Sequence, residues 1–308
     1  MFKSLRLILT LSVGVLAIPL AGFSPVGATG VKGPPQCIVS LSPTATDTLF
    51  SIGAGKQVQA VDKDSTFPVK GLPSRRINSL NPSVEAVIGI CKKTPTHRST
   101  KPDLVVISYD ANQIKEKLTA LGVKVVEQDA ATSIPGALAQ IRQLGNLTGH
   151  AKRANELAVS INRTINADIA SVPAHPGKVV NVYYELDPTF YSLTSSTFVG
   201  SLLKSLGVVN IADPQSTSAD AGYPQLSSEY IVSANPQLVL LADTVCCQVT
   251  PAIVAARPGF NTVSAVVHHH VVNLNDSVAS QWGPHLGLLM NQLTAAVKAV
   301  LNDAQLWG

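Results

Sequence analysis

The alternation of apolar and polar positions predicts an α/β protein. Largely apolar runs at residues 37–41, 104–108 and 238–242 have the composition of strands buried on both faces of a sheet. Between such runs, apolar residues recur at steps of three and four, which predicts helices. Strand, helix and strand in succession are typical of a parallel sheet. We therefore expect an α/β fold with mostly parallel central sheets.

Two distant stretches of the chain share one short motif. Each places a glutamate in a short helix, then a proline that interrupts the helix, then a buried strand. Glu85 lies 17 positions before Pro102 and Glu229 lies 7 before Pro236, so omitting residues 91–100 makes the two spacings equal. The sequence therefore predicts a duplicated unit with one insertion, and two similar lobes with a matched carboxylate on each.

A continuous helical stripe at residues 149–171 separates the two repeats. At about 1.5 Å per residue it would form a rod of roughly 33 Å, which is too long for a simple crossover in a small lobe. We expect a first α/β lobe at residues 36–148, an interlobe helix at 149–173 and a second α/β lobe at 174–308.

The amino-terminal segment has the composition of a secretory signal peptide. Lys3 and Arg6 precede an apolar run at residues 7–20, and small residues follow, so residues 1–28 are expected to be cleaved off. The run is shorter than the roughly 20 residues that span a bilayer. Phe23 stands where a lipoprotein signal carries its cysteine. We expect a periplasmic or extracellular protein without a lipid anchor.

Composition argues against a nucleic-acid partner. The formal net charge of the whole chain is +4, and it falls to about +2 without the two cations of the leader, so no strong positive field remains. The roughly 280 residues of the mature chain suit two lobes of ordinary size. We expect a monomer without a resident cofactor.

Four cysteines lie in the mature chain, and an oxidising compartment would let them pair. Cys37 opens the first strand and Cys91 ends the helix of the first repeat, so both fall at the same end of the α/β layer. A Cys37–Cys91 disulfide is predicted. The adjacent Cys246 and Cys247 are open to several interpretations: a strained vicinal disulfide, a metal site, two free thiols or a loop pair without chemistry.

The signal peptide, the sequence IVSLSPTATD at residues 38–47, the two glutamate and proline units and the long helix resemble one known family. They look like the cobalamin and ferric-siderophore substrate-binding proteins of ABC importers, the class III periplasmic binding proteins. The similarity covers residues 36–303. It implies two Rossmann-like lobes joined by one rigid helix, with a metal chelate held in the interlobe cleft and delivered to a membrane permease.

In that family a glutamate on each lobe docks onto arginines of the permease, and the resemblance carries this role to Glu85 and Glu229. A matched pair of exposed carboxylates would set the register on a two-fold symmetric partner. The alternative is that each glutamate merely complements a helix dipole. The insertion at residues 91–100 departs from the family and is expected to form a solvated loop.

Candidate ligand contacts lie in loops at the strand ends, where a doubly wound sheet presents its binding edge. Five aromatic residues fall within residues 183–198, which suits an apolar or macrocyclic ligand, although alternation sends some of them into the core. The resemblance adds Tyr223, at a position where cobalamin binders place a cleft aromatic. The expected ligand contacts are Ser42, Pro43, Phe67, Tyr109, Tyr184, Tyr191, Phe198, Tyr223 and Trp282.

Charge favours a neutral or cationic corrinoid over an anionic siderophore or haem. Residues 205–256 contain no lysine or arginine, whereas an anionic chelate needs cationic partners to offset its desolvation. Against the corrinoid, Ser79 and Asp64 stand where cobalamin binders carry aromatics. Cations outside that span could still contribute: Lys63, Arg75, Arg76 and Arg257.

Two other functions remain open. A zinc or manganese receptor would need three or four converging ligands, but the consecutive His268, His269 and His270 at a strand start point to alternate faces, which favours a solvated turn. An enzyme on a similar scaffold would need a catalytic motif, and the sequence has no Gly-x-Ser-x-Gly elbow, phosphate loop or His-Glu-x-x-His helix. The sequence therefore favours a binding protein. His285 is expected to be structural.

Overall fold

The computed structural model describes residues 33–94 and 97–307, so the predicted signal peptide lies outside the described residues. Within them the strands form two sheets. The first contains β1 (Ile38–Leu41), β2 (Val58–Asp62), β3 (Arg76–Ile77), β4 (Leu104–Ile107) and β5 (Lys124–Glu127). The second contains β6 (Asn181–Glu185), β7 (Val209–Asn210), β8 (Leu238–Leu241) and β9 (Val271–Asn273).

The two sheets repeat one strand order. The first runs β3-β2-β1-β4-β5 and the second β7-β6-β8-β9, with every neighbouring pair parallel. When the edge strand β3 is set aside, β1 corresponds to β6 and β4 to β8. The predicted fold class, two α/β lobes with parallel sheets, is confirmed. The residue limits assigned to the lobes stay a prediction.

Serine or threonine hydroxyls cap the first turns of several helices. Ser42 accepts from the Ala45 amide at the start of the first helix, and Thr197 accepts from the Gly200 amide. The helices are α1 (Pro43–Ser51), α2 (Val84–Val87), α3 (Ile114–Ala120), α4 (Ile134–Thr148), α5 (Ala151–Ser171), α6 (Phe198–Ser205), α7 (Ser228–Ala234), α8 (Pro251–Ala255), α9 (Ser264–Val267), α10 (Asp276–Ala279), α11 (Leu286–Asn302) and α12 (Ala304–Trp307).

The predicted long helix is α5, and it packs against α4 of the first lobe and α11 of the second. It begins two residues later than predicted because Gly149 adopts φ 80° and ends α4. Gly145 permits the close approach of α4 and α5, since a Cβ there would overlap Ala154 Cβ. Among the described helices, none is both long enough and apolar enough to cross a bilayer.

One hydrophobic cluster runs through both lobes. It contains Ile38 and Leu104 from the first sheet, Val182 and Leu240 from the second, and the buried faces of α5 and α11. The opposite faces of the two sheets are covered by separate clusters, one in each lobe. The inner faces therefore share a central helical layer, and the carboxyl ends of the strands are left for loops.

A 3₁₀ turn precedes the helix that follows β4. Residues 111–113 form this turn, in which Asn112 and Gln113 have φ 56° and 57°. The Asp110 carboxylate accepts from the Lys115 amide at 2.8 Å and holds this turn. The α-helix starts only at Ile114.

The insertion at residues 91–100 is only partly the solvated loop that was expected. Lys92, Lys93 and Arg98 are exposed, but His97 is buried and its Nε2 lies 3.2 Å from Asp103 Oδ1. The other Asp103 oxygen accepts from the amides of Gln36 and Cys37, so the same carboxylate fastens both the insertion and the start of β1. The expectation was wrong for His97.

The described cysteines are paired. Cys37 and Cys91 form the predicted disulfide, with their Cα atoms 6.0 Å apart, and this prediction is confirmed. Cys246 and Cys247 are joined as a vicinal disulfide in an exposed loop after β8, which selects one of the interpretations left open by the sequence.

Replacing Cys37 and Cys91 together by serine should lower the free energy of unfolding by roughly 2–4 kcal/mol, because the bond closes a loop between residues 54 positions apart. Urea denaturation followed by circular dichroism measures the change. The matched control replaces Cys246 and Cys247, which enclose no loop, and should change stability by less than about 0.5 kcal/mol. Equal effects from the two double variants would contradict the prediction.

Candidate ligand-binding site

A cavity of about 450 Å³ lies between the two lobes. The second lobe supplies the ends of β6 and β8, the start of α6 and the loop after α10. The first lobe supplies the loop after β5, with Ala130, Ala131 and Thr132. A site of this kind, at the carboxyl ends of parallel strands, is where open α/β sheets bind ligands.

Four of the nine predicted contacts line this cavity: Tyr184, Phe198, Tyr223 and Trp282. Tyr184 lies at the end of β6 and is 1% exposed, and burial raises the pKa of its phenol. Phe198 is the first residue of α6, behind the Thr197 cap. The aromatic side chains therefore form part of the wall that the concentration of aromatics at residues 183–198 led us to expect.

Asp220 organises the loop that carries Tyr223. Its carboxylate accepts from the amides of Thr217 and Gly222, at 2.6 and 2.9 Å, and from the Ser216 hydroxyl at 2.7 Å. These hydrogen bonds lower the pKa of Asp220 to about 2, and the bond from the Thr217 amide makes the largest contribution. Tyr223 is 46% exposed and is held at the cavity edge by an ordered turn.

The other five predicted contacts do not line the cavity. Ser42 is buried and its hydroxyl caps α1, and Pro43 is the half-buried first residue of that helix. Phe67 stacks on His285 instead of facing the cavity. Tyr109 and Tyr191 are exposed at the surface and do not belong to the cavity lining. For the four residues of the first lobe the reason is that this lobe lines the cavity with its loop after β5 rather than with the loops that follow β1, β2 and β4. Tyr191 of the second lobe instead pairs with Gln225 in an isolated antiparallel bridge.

Sequence reasoning missed that loop because its side chains are small. Ala130, Ala131 and Thr132 carry no aromatic ring or charge, and only their position after a buried strand could have marked them. It also missed Gln140 of α4, whose Oε1 accepts a hydrogen bond from Trp282 Nε1 at 2.7 Å. Nothing in the local sequence of α4 indicates a partner 142 residues away.

Among the described residues that line the cavity, none carries a charged side chain. The polar side-chain groups there are hydroxyls, the indole N–H of Trp282 and the amide of Gln281, which is 8% exposed. The cations proposed for an anionic ligand lie elsewhere. Arg76 donates to backbone carbonyls of the first lobe, Lys63 lies 3.7 Å from Asp64, and Arg257 is paired with Glu185.

The ion pair of Arg257 and Glu185 is part of a buried cluster behind β6 and β8. Two hydrogen bonds of 2.6 and 2.7 Å join the guanidinium to the carboxylate, and Phe190 and Phe260 cover the guanidinium. Asp243 is also fully buried there, and neither of its carboxylate oxygens has a partner among the described residues. Burial, and then the negative charge of Glu185, raise the pKa of Asp243 to about 7.

The two matched glutamates occupy equivalent, exposed positions. Glu85 is the second residue of α2 and Glu229 the second residue of α7, and each helix is capped by the serine two positions before the glutamate. Hydrogen bonds from its own amide and from the hydroxyls of Ser228 and Ser227 lower the pKa of Glu229. An open depression of about 740 Å³ lies beside Glu85, but residues of the first lobe alone line it.

The consecutive histidines lie away from the cavity. His268 Nδ1 and His270 Nε2 each lie 3.1 Å from the same Asp303 oxygen, while His269 adopts φ 60° between them. Within the described residues, no group of three or more histidine, cysteine or acidic side chains is arranged to hold a metal ion. His268 and His270 therefore contact the side chain of Asp303, the residue that ends α11, and the described residues offer the metal-receptor interpretation no site there.

Comparisons with known proteins agree with this architecture. A family model described as a periplasmic binding protein matches residues 38–278. The chain is 28% identical over 264 residues to an uncharacterized ABC transporter substrate-binding lipoprotein of Bacillus subtilis, covering 83% of this chain and 78% of that protein. It is 29% identical to a cobalamin-binding protein of Halobacterium salinarum, covering 82% of this chain and 66%, just under two thirds, of that protein.

A solved structure shows the same fold. The periplasmic heme-binding protein RhuT of Roseiflexus sp. RS-1 matches with a TM-score of 0.71 and 21% identity, over 87% of this chain and 99% of that chain. At this identity the likeness shows the fold and not the ligand. Each of the three proteins named here is described as a binding protein.

The Asp243→Asn variant should be more stable than the wild type at pH 8, by roughly 1–3 kcal/mol, because an unpaired buried charge is removed. Since the pKa of Asp243 is raised from 3.8 to about 7, wild-type stability contributed by its protonated form is lost as the pH rises from about 4 to 7. The variant should lack this slope, as measured by urea denaturation at several pH values.

Glu185→Gln is the contrasting variant. It leaves the buried Arg257 without its ion-pair partner, and should lose roughly 3–5 kcal/mol of stability. An Asp243→Asn variant that is less stable than the wild type at pH 8, with an unchanged pH slope, would show that the ionised carboxylate stabilises the fold.

Proposed function

This chain belongs to the periplasmic binding protein family, and we propose that it is the extracytoplasmic receptor of an ABC importer that captures a metal chelate and delivers it to a permease. The observation that carries this proposal is the uncharged, aromatic cavity that both lobes line. Relatives named for ABC transport and for cobalamin binding support it.

The preferred ligand is a neutral corrinoid such as cobalamin. A corrinoid presents a broad apolar face and uncharged amide groups, which suit the rings of Phe198, Tyr223 and Trp282 and the hydroxyls around them. A ferric siderophore or a haem with ionised propionates would bring negative charge to a lining without a cation, at a large desolvation cost. Of the cations considered for an anionic ligand, Arg257 is paired with Glu185 and Arg76 donates to the Ser65 carbonyl.

Capture without turnover fits the groups in the cavity. Its described lining has hydroxyls and an amide but no histidine, cysteine or carboxylate that could activate one of those hydroxyls as a nucleophile. The enzyme alternative therefore has no observation in its favour. A haem receptor is the second candidate, because a haem-binding protein shares the fold. In addition, Tyr184 and Tyr223 in the cavity lining carry phenols, a type of group that ligates haem iron.

Glu85 and Glu229 are proposed to dock onto the permease, one from each lobe. Both are exposed at matched positions on short helices that lead into β4 and β8, the corresponding strands of the two sheets. Exposed carboxylates contribute to orientation and association rate more than to affinity. The glutamates do not line the ligand cavity, so docking and ligand capture use separate residues.

The mature protein is proposed to act as a monomer outside the cytoplasm. The Bacillus subtilis relative is named as a lipoprotein. In the present sequence Phe23 occupies the place of the lipid-bearing cysteine, and we propose that this protein is released without an anchor.

Purified protein should bind cyanocobalamin with a micromolar or lower Kd and quench the fluorescence of Trp282, and it should bind haemin and a ferric tricatecholate at least tenfold more weakly. Tryptophan fluorescence titration and calorimetry measure the Kd for each of these ligands. Trp282→Phe should weaken binding roughly tenfold, since part of the stacking area and the hydrogen bond to Gln140 that fixes this side chain are lost. Trp307→Phe is the control, because Trp307 lies outside the cavity. If the protein binds haemin more tightly than cyanocobalamin, the corrinoid proposal is wrong and haem becomes the proposed ligand.

Changing Glu85 and Glu229 together to alanine should leave the Kd for the ligand within twofold of wild type and reduce transport at least tenfold. Uptake into proteoliposomes or cells that carry the cognate permease measures transport. The control changes Glu116 and Glu156, two exposed glutamates on α3 and α5. Normal uptake with the variant that lacks Glu85 and Glu229 would contradict the docking role of these two residues.

A further inference from the structure

A loop of the second lobe is fastened to the first lobe. It spans residues 280–285, between α10 and α11, and its first three residues line the cavity. The Trp282 indole donates to Gln140 on α4 at 2.7 Å. Gly283 lies on α1, where a Cβ would come within 3.1 Å of Thr44 Cγ2. The wall that the second lobe gives to the cavity is therefore held in place by the first lobe.

An ion pair and a ring stack complete this attachment. His285 Nδ1 lies 2.6 Å from Asp47 Oδ2, although the two residues are 238 positions apart. The His285 ring stacks on Phe67 with centroids 4.1 Å apart. The Asp47 side chain is 4% exposed, and its other oxygen accepts from the Ser51 hydroxyl at 3.3 Å. We call Asp47, Phe67 and His285 the interlobe clasp.

The charged form of the pair is favoured. The hydrogen bond that His285 Nδ1 donates to Asp47 is the main cause that raises the pKa of His285; partial burial opposes this increase, and the charge of Asp47 adds to it. No other charged group among the described residues contributes to this shift. The stabilisation is therefore fully present at low pH, and it is lost as the pH rises through the raised pKa of His285.

We propose that Asp47 and His285 are positioning residues for the ligand cavity, which hold Trp282 in its wall and set the separation of the two lobes there. The attachment joins α1 to the loop before α11 and does not involve the long helix α5, so the two lobes are connected at two separate places. Because protonation of His285 strengthens its pair with Asp47, the loop that carries Trp282 is held more firmly at mildly acidic pH than at alkaline pH. The effect on ligand affinity rests on the proposed function, whereas the attachment itself does not.

Fluorine NMR of 5-fluorotryptophan protein tests the attachment without any ligand. Two resonances are expected, from Trp282 and Trp307, and Trp307→Phe assigns them. In the wild type the Trp282 resonance should titrate with a midpoint above 6.5, in line with the raised pKa of His285. Asp47→Asn should lower this midpoint and His285→Gln should abolish it. A Trp282 resonance that does not titrate in the wild type, or still titrates in His285→Gln, overturns the proposal.

The matched control is His268→Gln, which removes a histidine that faces a carboxylate within the second lobe and away from the cavity. It should leave the Trp282 titration unchanged, and a change as large as that of His285→Gln would show that the loop responds to stability alone.

Cyanocobalamin is the probe for the effect on affinity. Asp47→Asn and His285→Gln should each bind it about tenfold more weakly than the wild type at pH 6, and the difference should shrink to about twofold at pH 9. Equal affinity of all three proteins at pH 6 overturns the positioning role. If the wild type does not bind cyanocobalamin, the proposed ligand fails, and the fluorine titration still decides whether the clasp exists.

Discussion

Burial of α5 between α4 and α11 is the constraint on which the architecture depends. The inner faces of both sheets reach this layer, so one hydrophobic cluster passes from Ile38 in the first lobe to Val182 in the second. Any large rotation of the lobes would have to open apolar contacts, at about 25 cal/mol for each Å² exposed. The packing of α4, α5 and α11 therefore holds the two lobes on either side of the cavity.

The buried charged groups of the second lobe and the cavity lining lie on different faces of its sheet. Strongly interacting charged groups are held behind the sheet, where Glu185 and Arg257 satisfy each other and Asp243 shifts its pKa. The face that borders the cavity carries aromatic rings and hydroxyls. A charge-free lining has the lowest desolvation cost for a neutral ligand and the highest selectivity against an anion. The second lobe therefore keeps its buried ion pair out of the described cavity lining.

The repeat could be predicted because its signals are local. A glutamate in the first turn of a capped helix, a proline and an apolar run are read within about a dozen residues, and both copies fold as expected into α2 with β4 and α7 with β8. The Cys37–Cys91 bond followed from the order of the elements. The aromatic segment of the second lobe was likewise visible, because strand alternation and strand ends can be assigned from sequence.

The two parallel α/β lobes, the long helix and the matched glutamates could be assigned from the sequence alone, because each depends on a pattern of neighbouring residues. The three-dimensional packing was needed to show that Ala130 and Thr132 line the interlobe cavity, that Tyr109 does not, and that His285 contacts Asp47 of the other lobe. These contacts join residues far apart in the chain. Their geometry is fixed by how helices pack between sheets, and no local pattern of residues encodes it.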